Sequence, residues 1–263
     1  MALNLGQPLQ LQSTELKTLD LIEEHAQEVL DNFDQFLEMT KAVTPLRQPR
    51  RGRPDLYMLT TDRTKTMHST SEERRLERAI WKQFGDENQP RVTKDCRWVQ
   101  AYQVPLKNSD EDKGWGKLDL IGVSEEYTPV VLELKRGKGD NPLRMLIEGL
   151  TYALAVQKAW NSDNGHLRKE WRSRVPEVSK KIAEDHVLKE IPIIGIAPVE
   201  YWQRAVNGEA GLVPETVWPL LAQIISKCRD AGFPVTFATF EIGLPLILGA
   251  GKIETDGCGR PKL

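Results

Sequence analysis

The chain is expected to fold as an α/β protein, a mixed β-sheet flanked by helices with an N-terminal helical extension. Three observations lead there. Short apolar runs of strand character recur in the middle and late parts of the chain, stretches of helical apolar spacing separate them, and the order is helix, three strands, helix, strand, helix, strand. At 263 residues, with 40% hydrophobic and 28% charged residues, the composition is that of an ordinary globular protein holding one large domain, or a core with a small appendage.

The elements follow in order. Residues 13–43 carry Leu16, Leu19, Ile22, Ala26, Val29, Leu30, Phe33, Phe36 and Leu37 at helical spacing. Ser13 or Thr14 is placed to cap this helix and Pro45 to end it. A single helix with so broad an apolar face must pack on the core or on a second copy of itself. Its polar face is crowded with Glu23, Glu24, Glu28, Asp31 and Asp34, which disfavours a membrane. A Pro/Arg stretch then divides the chain into a helical extension (1–44), a basic linker (45–69) and the main domain (70–263). In the main domain a helix is expected over 71–84 and a strand over 97–104. Strands around Asp119 and Glu133 follow, then a long helix from Pro142 to Trp160. Residues 161–189 are polar and helix-prone, with an interruption at Pro176. A buried strand at 191–197, a helix from Pro214 to Cys228 and a last core strand at 234–240 complete the series.

The stretch from 115 to 135 carries the chemistry. Asp119 lies in one strand, and Glu133-Leu134-Lys135 ends the next. Side chains alternate along a strand, so Glu133 and Lys135 share a face while Leu132 and Leu134 take the other. If the two strands pair as a hairpin, Asp119 reaches the face of Glu133. Two carboxylates and a lysine on an apolar sheet are costly to place there without a purpose. Two acidic oxygen donors suit a hard cation such as Mg²⁺, and a metal so held makes bound water acidic. The plain alternative is an ion pair capping a strand end. Glu-x-Lys by itself says little, because it occurs three times, at 15–17, 111–113 and 133–135; only the last follows an apolar strand with an aspartate strand before it.

Asp119, thirteen intervening residues and Glu133-x-Lys135 resemble the PD-(D/E)xK nuclease superfamily, the restriction-endonuclease-like fold. Leu118, rather than proline, precedes Asp119, so the first part of that motif is not matched. The family usually carries a further acid on a helix ahead of the strands. Here Glu73, with Leu76 and Ile80 following, is similar to the first helix of archaeal Holliday-junction resolvases. Glu77, one turn on, is an equal source of a carboxylate. Thr70 and Glu73 also form a capping box, which accounts for Glu73 without any metal. After Lys135, Glu148 and Tyr152 sit four apart on one helix face, at a place where RecB-like nucleases carry Gln-x-x-x-Tyr; glutamate replaces the glutamine.

The resemblance implies Mg²⁺ or Mn²⁺ held by Asp119, Glu133 and the main-chain carbonyl of Leu134, with Lys135 and Glu73 acting beside it. It implies a metal-dependent nuclease, with DNA favoured over RNA as the nucleic-acid substrate. The alternatives are a catalytically silent module of the same fold that binds nucleic acid or a protein, and an unrelated assembly protein using the 13–43 helix as a dimer stripe. A symmetric dimer would suit cleavage of both strands of a duplex.

Net charge is −2, so a nucleic-acid partner would have to be met by locally concentrated positive charge. Arg47, Arg50, Arg51 and Arg53 lie within 45–54 with three prolines and no acid. That segment reads either as a solvated connector or as a basic strap along a phosphate backbone. Trp115 reads either as a core residue or as a base-stacking one. Cys96, Cys228 and Cys258 have no paired spacing, and there is no signal-like start and no long apolar run; the expectation is a cytoplasmic protein with reduced thiols and no membrane span. Gly249-Ala-Gly251-Lys252 lacks the remaining residues of a phosphate loop.

Overall fold

In the computed structural model the described residues are 21–45, 72–106, 116–136, 140–207, 213–241, 249–255 and 260–262. The N-terminal part holds α1 (Ile22–Asp31) and α2 (Phe33–Val43). One helix was expected, and it breaks at Asn32, whose φ of −113° and ψ of 27° leave the helical region. Asn32 seals the break itself: its backbone amide and its side-chain amide both donate to the Glu28 carbonyl, at 3.1 and 3.0 Å. The bend lets both apolar faces follow the curved core, with Ile22, Ala26, Val29, Phe33, Phe36 and Leu37 all buried. The residues expected to begin this helix, from Ser13 to Asp20, lie outside the described residues.

Helix α3 (Glu72–Gln83) is followed by β1 (Trp98–Pro105), β2 (Lys117–Val123), β3 (Pro129–Leu134), α4 (Pro142–Asn161), α5 (His166–Arg174), α6 (Pro176–Lys181) and β4 (Ile193–Pro198). The chain continues through α7 (Val199–Asn207), α8 (Val217–Asp230), β5 (Val235–Glu241), β6 (Gly249–Thr255) and β7 (Pro261–Lys262). The strands lie side by side in sequence order. β1, β2 and β3 are antiparallel, β3, β4 and β5 are parallel, and β6 and β7 extend the sheet antiparallel. The protein is therefore a mixed α/β fold whose sheet is flanked by helices. Three elements were not expected from the sequence: α7, β6 and β7. The 234–240 segment is accordingly not the last strand.

The two faces of the sheet are covered differently. On one, Leu76, Ile80 and Trp81 of α3 pack with Leu120, Leu132, Leu134, Ile194 and Ile196. Trp81 also donates to the Gln100 carbonyl at 3.3 Å, tying α3 to β1. On the other face lie α4 and α8, with α2 packed against α4 and α1 against α8, and Val131, Ile193, Leu146, Leu150 and Trp218 in one continuous core. Glu23 accepts from Thr216 at 2.7 Å, and Lys158 donates to the Lys41 carbonyl at 3.2 Å, so α1 and α2 are fastened to α8 and α4. Helix α4 approaches the sheet through Gly149, where an added Cβ would stand 2.7 Å from Ile193 Cγ2 and 3.8 Å from Glu133 Cβ. This close approach brings α4 against the end of β3. Cys96 and Cys228 are buried and unpaired, and burial pushes each thiol up to about 12. Among the described residues no helix is long and apolar enough to cross a membrane.

Candidate active site at the splayed end of β2 and β3

β2 and β3 form the expected hairpin, with Leu120 opposite Leu132 and Val123 opposite Pro129. The turn is closed by Ser124, whose hydroxyl meets that of Thr128 at 2.8 Å. Continued by one step, the register would set Asp119 opposite Glu133, but the pairing ends at Leu120 and the strands part. Asp119 fills the gap: its Oδ2 accepts the Leu134 amide at 3.0 Å, in place of a backbone carbonyl. Within a strand a residue's N–H and C=O point the same way, so the Leu134 carbonyl is directed to the Asp119 side as well. The next residue turns to the other neighbour, the Lys135 amide donating to the Ile196 carbonyl at 3.0 Å.

Glu133 and Lys135 share the face toward α4, as alternation requires, and both are buried, at 1% and 4% exposure. Lys135 Nζ donates to Glu133 Oε1 at 2.7 Å and to Glu148 Oε2. Glu148 is held in turn by Arg144, whose Nε reaches its Oε1 at 3.0 Å, while Arg144 Nη1 reaches Asp140 at 2.6 Å. Asn141 caps α4 by accepting the Arg144 amide at 2.9 Å, which fixes the helix start beside the strand end. The result is a chain of alternating charge, Asp140–Arg144–Glu148–Lys135–Glu133. One acceptor in it is unused: Glu133 Oε2 is buried without a hydrogen-bond partner.

The acids outnumber the cations here, and their proton affinities reflect it. Burial pushes the Asp119 carboxyl up to about 7, with Lys135 and the Leu134 amide opposing and Glu73 and Glu148 adding to the rise. Glu133 is pushed well above the carboxylate range by burial and by Asp119, although Lys135 pulls it back. Burial and Asp119 push Glu77 up to about 8, against the hydrogen bond from the Gln103 side chain. Gln103 makes that bond from a backbone φ of 52°, unusual for a residue with a side chain. Glu73, half-buried, is raised by burial and partly restored by Lys135. Glu148 goes the other way: burial raises it, but Lys135 and Arg144 outweigh burial and hold it below its ordinary value. Burial disfavours the Lys135 ammonium, yet Glu133, Glu148 and Asp119 more than compensate, so it stays charged. Tyr152, also buried, has its hydroxyl raised by burial and by Glu133, Glu148 and Asp119.

The fold thus gathers Asp119, Glu133, Lys135, Glu148 and Tyr152, with Glu73 and Glu77 of α3 at the margin. Glu77 is the helix acid whose strongest charged neighbour is Asp119; that of Glu73 is Lys135. The arginines at 47, 50, 51 and 53, Trp115 and the Thr70 cap lie outside the described residues. Asp140, Arg144 and Gln103 were missed in the sequence. Asp140, Arg144 and Glu148 recur every fourth residue, a helical charge ladder readable in principle. The role of Gln103 depends on a backbone conformation that its sequence does not announce.

As to a metal, no group of three His, Cys, Asp or Glu among the described residues is arranged to hold one. The donors present are two carboxylates, Asp119 and Glu133, and the Leu134 carbonyl. All are hard oxygens, and Glu133 Oε2 stands buried with a free acceptor. That donor set fits a hydrated Mg²⁺ or Mn²⁺, which keeps several waters, better than a cage of protein ligands. Comparison with protein-family models, with curated proteins and with solved structures finds no match to this chain.

Proposed function

We propose that the protein is a metal-dependent nuclease that hydrolyses phosphodiester bonds, with DNA its favoured substrate. One observation carries the reading: Asp119, Glu133 and Lys135 converge where β2 and β3 part, in a site with more buried acid than its own cations neutralise. The order of helix, three antiparallel strands, helix and parallel strand supports it, being the order that the restriction-endonuclease-like resemblance implies.

In this reading Asp119, Glu133 and the Leu134 carbonyl would hold one divalent cation, which when bound would polarise the scissile phosphate and acidify a water. Ionised, Glu133 would offer its unpartnered Oε2 as one of the oxygen donors. Lys135 keeps Glu148 as its partner and remains an ammonium. Its work is electrostatic: it holds the attacking water in line and offsets the charge that grows on the phosphate. Glu148, fixed by Arg144, sets the position of Lys135. Glu73, half-buried, would act through water, and Glu77, buried against Gln103, through its field on Asp119.

The direct test is cleavage of linear duplex, supercoiled plasmid, single-stranded DNA and RNA with Mg²⁺, Mn²⁺ or EDTA, wild type beside Asp119→Ala. Metal-dependent cutting that disappears in the variant is expected. Cutting that survives both Asp119→Ala and Lys135→Ala would overturn the proposal. A second reading, a silent module of the same fold, draws on Lys135 being engaged by two carboxylates; binding of nucleic acid without cleavage in any metal would favour it.

A further inference from the structure

Lys135 stands between two carboxylates whose oxygens are used unequally. Its Nζ reaches Oε1 of Glu133 at 2.7 Å and Oε2 of Glu148, and all three side chains are at 5% exposure or less. The other Glu148 oxygen, Oε1, is gripped by Arg144 through Nε and Nη2, each at 3.0 Å. Arg144 is itself anchored on Asp140 at 2.6 Å, and its amide donates to the Asn141 cap. Glu148 is therefore fixed from behind, with Oε2 left for Lys135. The second Glu133 oxygen, Oε2, is buried without a hydrogen-bond partner.

This asymmetry bears on the cation. An ammonium 2.7 Å from Glu133 repels any further positive charge brought to that carboxylate, and buried charges so close are screened little by salt. Glu133 can serve a divalent cation fully only if Lys135 leaves it. A buried ammonium that leaves one carboxylate needs another, because an unpaired buried charge is strongly unfavourable. Glu148 already touches Nζ, so Lys135 has no long path to travel. Gly149 keeps α4 close enough for this: a Cβ added there would stand 3.8 Å from Glu133 Cβ.

We infer that Lys135 is an internal counter-ion that exchanges with the metal, bridging Glu133 and Glu148 without it and withdrawing onto Glu148 as Glu133 turns to a divalent cation. Glu148 is then a positioning residue that acts through Lys135, and by drawing the ammonium off Glu133 it sets the affinity for the cation. The inference rests on the metal site of the nuclease reading above.

The test is calorimetric Mn²⁺ binding by the full chain, in wild type, Glu148→Gln, Glu148→Asp, Lys135→Met and the double variant Lys135→Met/Glu148→Gln, with folding checked by urea unfolding. Asp140 and Glu133 still answer Arg144 and Lys135 in both Glu148 variants, so both are expected to fold. Glu148→Asp discriminates most sharply. It keeps the negative charge but is one methylene too short to meet Arg144 and Lys135 together, so a role through charge alone would leave its affinity at the wild-type value. We expect Mn²⁺ to bind about tenfold more weakly in Glu148→Gln and in Glu148→Asp alike, because Lys135 falls back on Glu133. Lys135→Met should bind about tenfold more tightly, and adding Glu148→Gln to it should change affinity by less than about twofold, since no ammonium remains to be held. Glu148→Asp that binds as wild type does, or Glu148→Gln that weakens binding equally with and without Lys135, would overturn the exchange and leave the nuclease reading standing. Wild type with no Mn²⁺ affinity would overturn both. If Lys135→Met does not fold, the two Glu148 variants decide by themselves.

Discussion

Lys135 is where opposing charges balance, and the consequences of disturbing it are specific. Its ammonium is buried between Glu133 and Glu148. Lys135→Met keeps the volume but leaves two buried carboxylates short of a counter-ion, and we expect a loss of about 3–5 kcal/mol in urea unfolding without metal. Added Mn²⁺ should recover part of that loss, because the cation replaces the missing positive charge. Glu77 gives a second prediction. Its carboxyl ordinarily titrates near 4.5 and is raised to about 8 in the folded protein. The folded state therefore keeps a proton that the unfolded chain releases, so the Glu77 contribution to stability is highest below 4.5 and falls as pH rises toward about 8. Glu77→Gln should flatten the dependence of the urea midpoint over that window and raise stability at its upper end. An unchanged pH slope would remove Glu77 as its source. At this scale the sequence was readable where spacing alone decides. Glu133 and Lys135 share a face because of strand alternation, and the hairpin brings Asp119 to the same strand end, where its side chain takes the Leu134 amide beyond the last paired residues. The Arg144 clamp on Glu148 follows a fourfold spacing that the sequence does carry, although it went unread, whereas the Gln103 contact depends on a positive backbone φ that the sequence does not announce.

Helix α4 carries the positioning of the site as an element. Asn141 starts it, Arg144 and Glu148 line the side toward Lys135, and Gly149 allows the approach to β3 and β4. Gly149→Ala brings a methyl to 2.7 Å from Ile193. Although alanine favours a helix more than glycine by about 1 kcal/mol, the overlap must push α4 outward at the level of Glu148. We expect net destabilisation of about 1–3 kcal/mol, accompanied by a fall in cleavage larger than the fall in folded fraction. Cleavage that merely follows the folded fraction would show that α4 does not set Lys135. The sequence made α4 plain, since its apolar periodicity runs for five turns from a proline start. Helix α7 stayed hidden: Val199–Asn207 is short, follows a proline and is rich in residues that suit strands, so no helix was expected between the 191–197 strand and Pro214. Its helical state comes from Trp202, Tyr201 and Ala205 packing under β5.

The whole molecule joins its N-terminal helices to the core rather than carrying them apart. α1 and α2 share the core of α4 and α8. Removing residues 1–44 should therefore expose an apolar face and yield aggregated protein, whereas a soluble, fully folded truncation would show that the helices are dispensable. Deleting 45–54, with its four arginines, should flatten the salt dependence of DNA binding by up to about 0.9 for every phosphate those arginines neutralise. Helix and strand order were legible at this scale because each apolar run is long or well bounded. The break at Asn32 and the added strands β6 and β7 were not, because both follow from how the chain meets a core assembled elsewhere. The most direct measurement is nicking of supercoiled plasmid in Mg²⁺, in Mn²⁺ and in EDTA by wild type, Asp119→Asn and Lys135→Met. Wild type should cut with either metal and not in EDTA, and each variant should lose at least about a hundredfold. Wild-type activity that persists in EDTA, or that both variants retain, would contradict it.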